Sequence, residues 1–357
     1  MKTTSTSNFI TKSHLYAIAA SFGFAIVLKL IRNYFNGPIY KGKKDVSKKL
    51  IIVTGANSGI GKETALDLLA NGATVIFACR NEKATNEVID SIKDKDQRDR
   101  AIFIKLDLCN IDSVYDFCIQ VKSKYKMIDI IVNNAGLMAD SFSLTKDGVE
   151  SSLQGNHLGH MAMTHWLLEI MNKEEGRIIN LSSIGHRRSN YSVNELKRLE
   201  SNLDFKDEEK GFDFSKSFVV YGNTKLGNIY FTQYLAAICE KKFPNIKTAC
   251  LHPGAVNTEF SRFVSNFSFL GKFFFYTFYP VYLFLFKTQY VGAQTSLSLC
   301  YMDFNKIENG KYYVDNAKAD TYPIANETKI RDEFIKYSWM LLEKISKDVY
   351  NIPRFDL

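Results

Sequence analysis

Apolar positions in this chain fall into two alternating patterns. Short β-branched runs recur at Leu50–Thr54, Ala73–Ala78, Ala101–Leu106, Ile128–Val132, Gly176–Leu181 and Ile246–Leu251. Unbroken apolar runs of this length suit strands buried on both faces. Between them lie segments with helical patterning, such as 62–70, which stops at Asn71-Gly72, and 112–124. Strands alternating with helices predict a parallel sheet with helices on both faces, the doubly wound α/β architecture of a Rossmann-type single domain. Ligands of such sheets bind beyond the carboxyl ends of the strands. The runs end there on polar or glycine residues: Thr54-Gly55, Cys79-Arg80, Asp107-Leu108, Asn133-Asn134-Ala135-Gly136, Ser182-Ser183 and Pro253-Gly254.

Two other apolar stretches break the alternation. Leu15–Leu28, extended past Lys29 by Leu30 and Ile31, matches the shortest membrane-spanning helices of about 17 residues. A cleaved signal peptide and a buried helix are the alternatives, but no small-residue cleavage site follows. The expected order is a tail at 1–13, a transmembrane anchor at 14–31, a basic linker at 32–48, a catalytic domain at 49–316 and a C-terminal helical extension at 317–357. The second stretch, 273–286, is dense in Phe and Tyr around Pro280 and is too short to span. It reads either as a buried core helix or as an interfacial lid within 263–290 that gates substrate entry from a bilayer.

Charge sharpens the anchor. The formal charge is +8, and residues 1–50 hold nine of the 46 Lys/Arg but only one of the 38 acids, Asp45. The remainder is balanced, which argues against nucleic acid as a partner. Seven basic residues follow the apolar run and two precede it, so the body is expected on the cytosolic side. Endoplasmic reticulum is the expected membrane, with lipid droplet as an alternative. The six cysteines form no C-x-x-C pair and read as reduced core residues. No metal is expected: His157, His160 and His165 have no acid or cysteine at ligand spacing.

The chemistry starts at the first strand. Thr54-Gly55-Ala56-Asn57-Ser58-Gly59-Ile60-Gly61 leads directly into a helix, a placement in which backbone N–H groups and the helix dipole cradle a phosphate. Arg80 lies 19 residues beyond Gly61, where an acid would bind a ribose 2′-hydroxyl, and an arginine there favours the 2′-phosphate of NADP(H). Tyr221 and Lys225 stand four apart on one helix face, and a cation beside a phenol is expected to lower its pKa.

Together these residues resemble the short-chain dehydrogenase/reductase family over roughly residues 49–316. The shared motifs are T-G-x-x-x-G-x-G at 54–61, N-N-A-G at 133–136, Y-x-x-x-K at 221–225 and the Pro253-Gly254 pair. The resemblance implies a catalytic set of Asn156, Ser183, Tyr221 and Lys225. Asn156 would brace a proton-relay water, Ser183 would orient the substrate oxygen, and Tyr221 would exchange the proton. Lys225 would depress the phenol's pKa and hold the nicotinamide ribose. Asp107 and Leu108 would meet the adenine, and Asn134, Ala135 and Gly136 the ribose region. Pro253, Gly254, Val256 and Thr258 would flank the nicotinamide.

Ser183 and Tyr221 are separated by 38 positions, far more than in the shortest family members. That insert, His186, and Leu251-His252-Pro253-Gly254 resemble the retinol dehydrogenase branch. The expected function is an NADP(H)-dependent oxidoreductase acting on a lipophilic carbonyl or alcohol of retinal/retinol type. A sterol or other lipid carbonyl reductase, and a catalytically idle nucleotide-binding scaffold, are the alternatives. The fold often pairs through its helices, so a homodimer is possible.

Overall fold

A computed structural model describes residues 12–205, 208–257, 279, 284, 286–346 and 349–355, without the side chains of 12–15, 17–20 and 214. Strands β1 (Leu50–Thr54), β2 (Thr74–Cys79), β3 (Ala101–Lys105), β4 (Ile130–Asn133), β5 (Gly176–Leu181), β6 (Ile246–Leu251), β7 (Lys311–Val314) and β8 (Ala317–Lys318) form one sheet. Their order is β3-β2-β1-β4-β5-β6-β7-β8. Every pairing is parallel except β7 with β8. Asp315 and Asn316 both have positive φ and close that last hairpin in two residues, the backbone such a tight turn requires.

Period-two burial divides the core. Ile51 and Val53 of β1 enter one apolar layer, while Leu50 and Ile52 enter the other. Helix α2 (Gly59–Ala70) covers the first layer with Ala65, Leu68 and Leu69. The opposite layer is covered by α5 (Ile111–Lys124), the segment 151–167, and α9 (Phe214–Lys242). Each fully buried Val, Leu, Ile or Phe contributes about 1.5–3 kcal/mol of transfer free energy, so both layers are needed for stability.

Two short helices, α3 (Glu82–Asp90) and α4 (Lys95–Asp99), lie between β2 and β3. The segment 151–167 joins α6 (Ser151–Leu153), a π-turn (Gln154–Leu158) and α7 (Gly159–Leu167). The insert after β5 contains α8 (Val193–Glu200), and α10 (Gln289–Tyr301) lies between β6 and β7. Within 317–357, β8 completes the sheet, and the last helix, α11 (Thr328–Ser346), buries Phe334, Tyr337, Leu341 and Leu342 in the second layer. This end of the chain is thus built into the same core as the sheet.

Helix α1 (Lys12–Asn36) lies N-terminal to the sheet and exposes Tyr16, Phe22, Phe24, Ile26, Val27, Leu30 and Tyr34. Among the described residues no helix is long and apolar enough to cross a membrane. The expected spanning anchor at 14–31 is therefore not shown. Lys29, Arg32 and Asn33 interrupt the apolar run in the second half of this helix. Near its end, Arg32 donates to the carbonyls of Phe284 and Phe286, the latter at 2.8 Å. Most of the expected lid, including nearly all of 273–286, lies outside the described residues.

His157, His160 and His165 are buried in the second layer and each has its own partner. His157 Nε2 meets Ser338 Oγ at 2.9 Å, and His165 Nδ1 meets the Pro353 carbonyl at 2.9 Å. Burial pushes the three rings down to about 4, 3 and 4 respectively. Unfolding restores an ordinary imidazole that takes up a proton below about pH 6.5, so the unfolded chain binds more protons in that window. Stability must therefore fall as pH drops from about 6.5 toward 4. The urea midpoint is expected to be clearly lower at pH 5 than at pH 7; equal midpoints contradict this account.

Candidate active site

The sheet reverses its winding between β1 and β4, and the carboxyl ends of these strands open the crevice in which this architecture binds nucleotides. Gly55 leaves β1 at φ +67, and Gly59 opens α2 at φ +58. Gly61 is required by packing: a Cβ there would stand 2.3 Å from the Gly55 carbonyl oxygen and 2.4 Å from Asn134 Nδ2. Ser58 caps α2 in extended backbone without a side-chain bond, which leaves the first-turn N–H groups facing outward. Ile60 is half-buried and packs against the first apolar layer, and Asn57 is half-buried in the turn. This turn fits a pyrophosphate, which needs open helix-terminal donors and a backbone close enough to touch. The helix starts within the glycine turn, three residues before the expected Lys62.

The neighbouring strand ends line the same crevice. Asn134 Nδ2 donates to the Thr54 carbonyl at 2.8 Å, and the Asn134 and Ala135 N–H groups donate to Thr54 Oγ1 at 2.9 Å each. Arg80 is exposed at the end of β2, and its charge reaches the Cys109 thiol, as does that of Asp107. Asp107 Oδ1 accepts the Cys109 N–H at 3.0 Å, and Leu108 is buried under Gly159. Gly254 takes φ +87 beside Lys287, and Pro253 is half-buried before it. Val256 bridges in parallel to Lys287 and lies over Gly292 near Ile60. Thr258 lies outside the described residues.

Two of the four expected catalytic residues, Asn156 and Lys225, face the exposed backbone at Gly136, and Tyr221 stands beside Lys225. A Cβ on Gly136 would sit 3.1 Å from Lys225 Nζ and 3.5 Å from Asn156 Oδ1. Lys225 is buried and donates to the Leu181 carbonyl at 3.2 Å. Burial pushes it down to about 8. Its Nζ is 5.5 Å from the Tyr221 ring centroid. Ser183 lies close enough to the Tyr221 phenol to act on its pKa, and Ser183 Oγ accepts the Gly185 N–H at 3.1 Å. Gly185 lets the phenol approach: a Cβ there would be 3.1 Å from Tyr221 Cε1.

One expectation is corrected. Tyr221 is not held below the ordinary phenol range. The enclosing protein raises its pKa, and only Ser183 acts to lower it. The ammonium of Lys225 is directed at the Leu181 carbonyl, and desolvation disfavours phenolate. A phenol kept protonated at neutral pH is an acid, the form required to protonate a carbonyl oxygen as it gains electrons.

Asn156 sits in the π-turn, a helix form that recurs at functional sites. Its amide clasps the backbone of Leu137: Nδ2 donates to the Leu137 carbonyl at 2.7 Å and Oδ1 accepts the Leu137 N–H at 2.7 Å. Nδ2 also donates to Thr224 Oγ1 at 3.0 Å. Leu137, Thr224, Gly185 and His160 were not picked out by sequence spacing. Only adjacency to N-N-A-G and to Tyr221–Lys225 could have pointed to the first two.

A dinucleotide-shaped turn facing a hydroxyl, a protonated phenol and a buried ammonium defines a nicotinamide-dependent oxidoreductase. The short chain dehydrogenase family profile matches residues 49–194. Bovine (Bos taurus) retinol dehydrogenase 12 is 32% identical over 92% of this chain and 95% of its own. Mouse (Mus musculus) retinol dehydrogenase 11 is 33% identical over 82% of this chain and 89% of its own. The chain belongs to the short-chain dehydrogenase/reductase family, in its retinol dehydrogenase-like branch. In fold it is similar to a protein of Mycobacterium paratuberculosis at TM-score 0.66 and 22% identity, covering 89% of this chain and all of that one. A short-chain dehydrogenase of Shigella flexneri solved with NADP aligns at TM-score 0.55 and 21% identity, over 77% of this chain and all of that one.

Tyr221→Phe removes the proton donor and keeps the ring packed on Gly185. Turnover of a carbonyl substrate is expected to fall at least about 100-fold, the lower end of what a positioned general acid contributes. NADPH affinity by fluorescence titration should stay within about threefold. Retained turnover would place the acid elsewhere.

Proposed function

We propose that the protein is a membrane-associated, NADP(H)-dependent reductase of lipophilic aldehydes or ketones of the retinal class. The observation that carries this reading is Lys225 and Asn156 facing the exposed backbone of Gly136, with the Tyr221 ring 5.5 Å from Lys225 Nζ and packed on Gly185. A bound nicotinamide supplies a hydride to a carbonyl carbon. Ser183 would hold the carbonyl oxygen, Tyr221 would give it a proton and be left as a phenolate that solvent reprotonates, and Lys225 would hold the ribose side of the site and offset the phenolate's charge. Asn156 keeps the N-N-A-G turn in register with the helix that carries both Tyr221 and Lys225.

Arg80 supports NADP(H): an exposed guanidinium at the end of β2 is free to pair with a 2′-phosphate, bidentately and charge-assisted. The Shigella flexneri neighbour's NADP, and the NADPH of a similar Escherichia coli short-chain dehydrogenase (TM-score 0.54), agree with this. Exposed apolar residues along α1 support membrane association, because water does not favour such a row and a bilayer interface does. Arg32 ties α1 to the backbone of Phe284 and Phe286, so α1 and these two residues lie on one side of the protein. Retinol dehydrogenase relatives support a retinoid-like substrate, which would enter from that side.

Retinal carried in liposomes, offered with NADPH or NADH, tests the reading on the full-length chain. We expect kcat/KM to favour NADPH by at least about tenfold, the effect of one charge-assisted contact. Arg80→Asp should erase that preference, and the protein should float with the vesicles on a density gradient. Equal use of both cofactors by the wild type would remove the NADP assignment. Protein that stays with the aqueous fraction would remove the membrane association.

A further inference from the structure

We propose that His160 is a positioning residue for the proton-transfer site, locked as the neutral tautomer with its proton on Nδ1. This deepens the function proposed above and rests on it only where turnover is measured. The Thr54 side chain is wholly buried where β1 and β4 part. Thr54 Oγ1 accepts the N–H groups of Asn134 and Ala135, both at 2.9 Å. A hydroxyl has two lone pairs and one proton, so both lone pairs are occupied. The proton has one well-placed acceptor, His160 Nε2 at 2.9 Å; the Val132 carbonyl at 3.4 Å is a weaker alternative. Nε2 must therefore be the bare nitrogen.

The other ring nitrogen gives the same answer independently. His160 Nδ1 lies 3.1 Å from the backbone carbonyl of Asn156, which can only accept. Nδ1 must therefore carry the proton. An imidazolium would place a second N–H against a hydroxyl whose lone pairs are already occupied, and burial adds a desolvation cost. The two contacts require one tautomer and exclude the charged ring.

The ring consequently joins two stretches of backbone. One is the Asn134-Ala135-Gly136 turn, fastened to Thr54. The other is the π-turn carrying Asn156, whose amide grips Leu137 and Thr224, the residue just before Lys225. Asn156 Oδ1 and Lys225 Nζ both face Gly136. A shift of the π-turn would thus move Asn156 and loosen the clasp on the helix turn that presents Lys225. His160 reaches no reacting atom in this arrangement; it acts through Asn156.

His160→Phe keeps the ring volume and removes both hydrogen bonds. In protein whose circular dichroism is unchanged, kcat for carbonyl reduction should fall at least tenfold, equivalent to about 1.4 kcal/mol of lost transition-state alignment. KM for the carbonyl substrate should change less than threefold. In an Asn156→Ala background the same substitution should cost less than twofold. A folded His160→Phe with kcat within twofold of wild type overturns the proposal, and so does a loss that simply multiplies with that of Asn156→Ala. A second measurement needs neither activity nor a variant: in the ¹⁵N spectrum of the wild-type imidazole, Nδ1 should be protonated and Nε2 bare from pH 5.5 to 8. An Nε2–H tautomer or a titration within that range overturns the proposal. A wild type that turns over no carbonyl would refute the function above and leave this spectrum to decide the role of His160.

Discussion

Where β1 and β4 part beyond their ladder, one hydroxyl, Thr54 Oγ1, holds the two strand ends together, and the site depends on it. Parallel strands that diverge at their carboxyl ends leave backbone N–H groups without ladder partners, and buried donors must find acceptors. Thr54 Oγ1 satisfies two of them, from Asn134 and Ala135, while the Thr54 carbonyl takes the Asn134 side chain. The crevice therefore stays open at Gly55–Gly61 yet is fastened below. Above that clasp a nucleotide can lie on the helix terminus; behind it Asn156, Lys225 and Tyr221 keep their register.

Buried charge is the second constraint. Lys225 has only the Leu181 carbonyl as its described hydrogen-bond partner, and desolvation brings its pKa down to about 8. An ammonium so poorly compensated favours a polar ligand nearby, and the adjoining backbone at Gly136 leaves room for one. The phenol beside it is held protonated, the form that can give a proton to a carbonyl oxygen. A bound cofactor changes the local charge, which is where the opposite direction of reaction would gain its phenolate.

Much of this was legible in the sequence for a physical reason. The glycines of 54–61 are demanded by local geometry, positive φ at Gly55 and Gly59 and close contact at Gly61, so they leave a pattern at fixed spacing. The β-branched runs specify buried strands by composition alone, and β5 and β6 fall on the expected residues. What was not legible depends on contacts between distant residues. The pKa of Tyr221 was expected to be depressed because Lys225 is four residues away, but burial, which spacing does not reveal, acts the other way. Likewise the Asn156–Leu137 clasp and the Thr54–His160 contact join residues 19 and 106 positions apart. The α1 segment reads as a span by hydropathy, whereas among the described residues no helix is long and apolar enough to cross.

The central claim is that this crevice transfers hydride from a nicotinamide to a lipophilic carbonyl carbon while Tyr221 protonates the oxygen. Isotope transfer measures it directly: the purified protein is given retinal and NADPH carrying deuterium on one or the other face of nicotinamide C4, and the alcohol is examined by mass spectrometry. The account predicts one deuterium on the carbinol carbon from one of the two labelled cofactors and none from the other. An alcohol without deuterium from either, or no cofactor-dependent alcohol at all with retinal or any other lipophilic carbonyl, would contradict it.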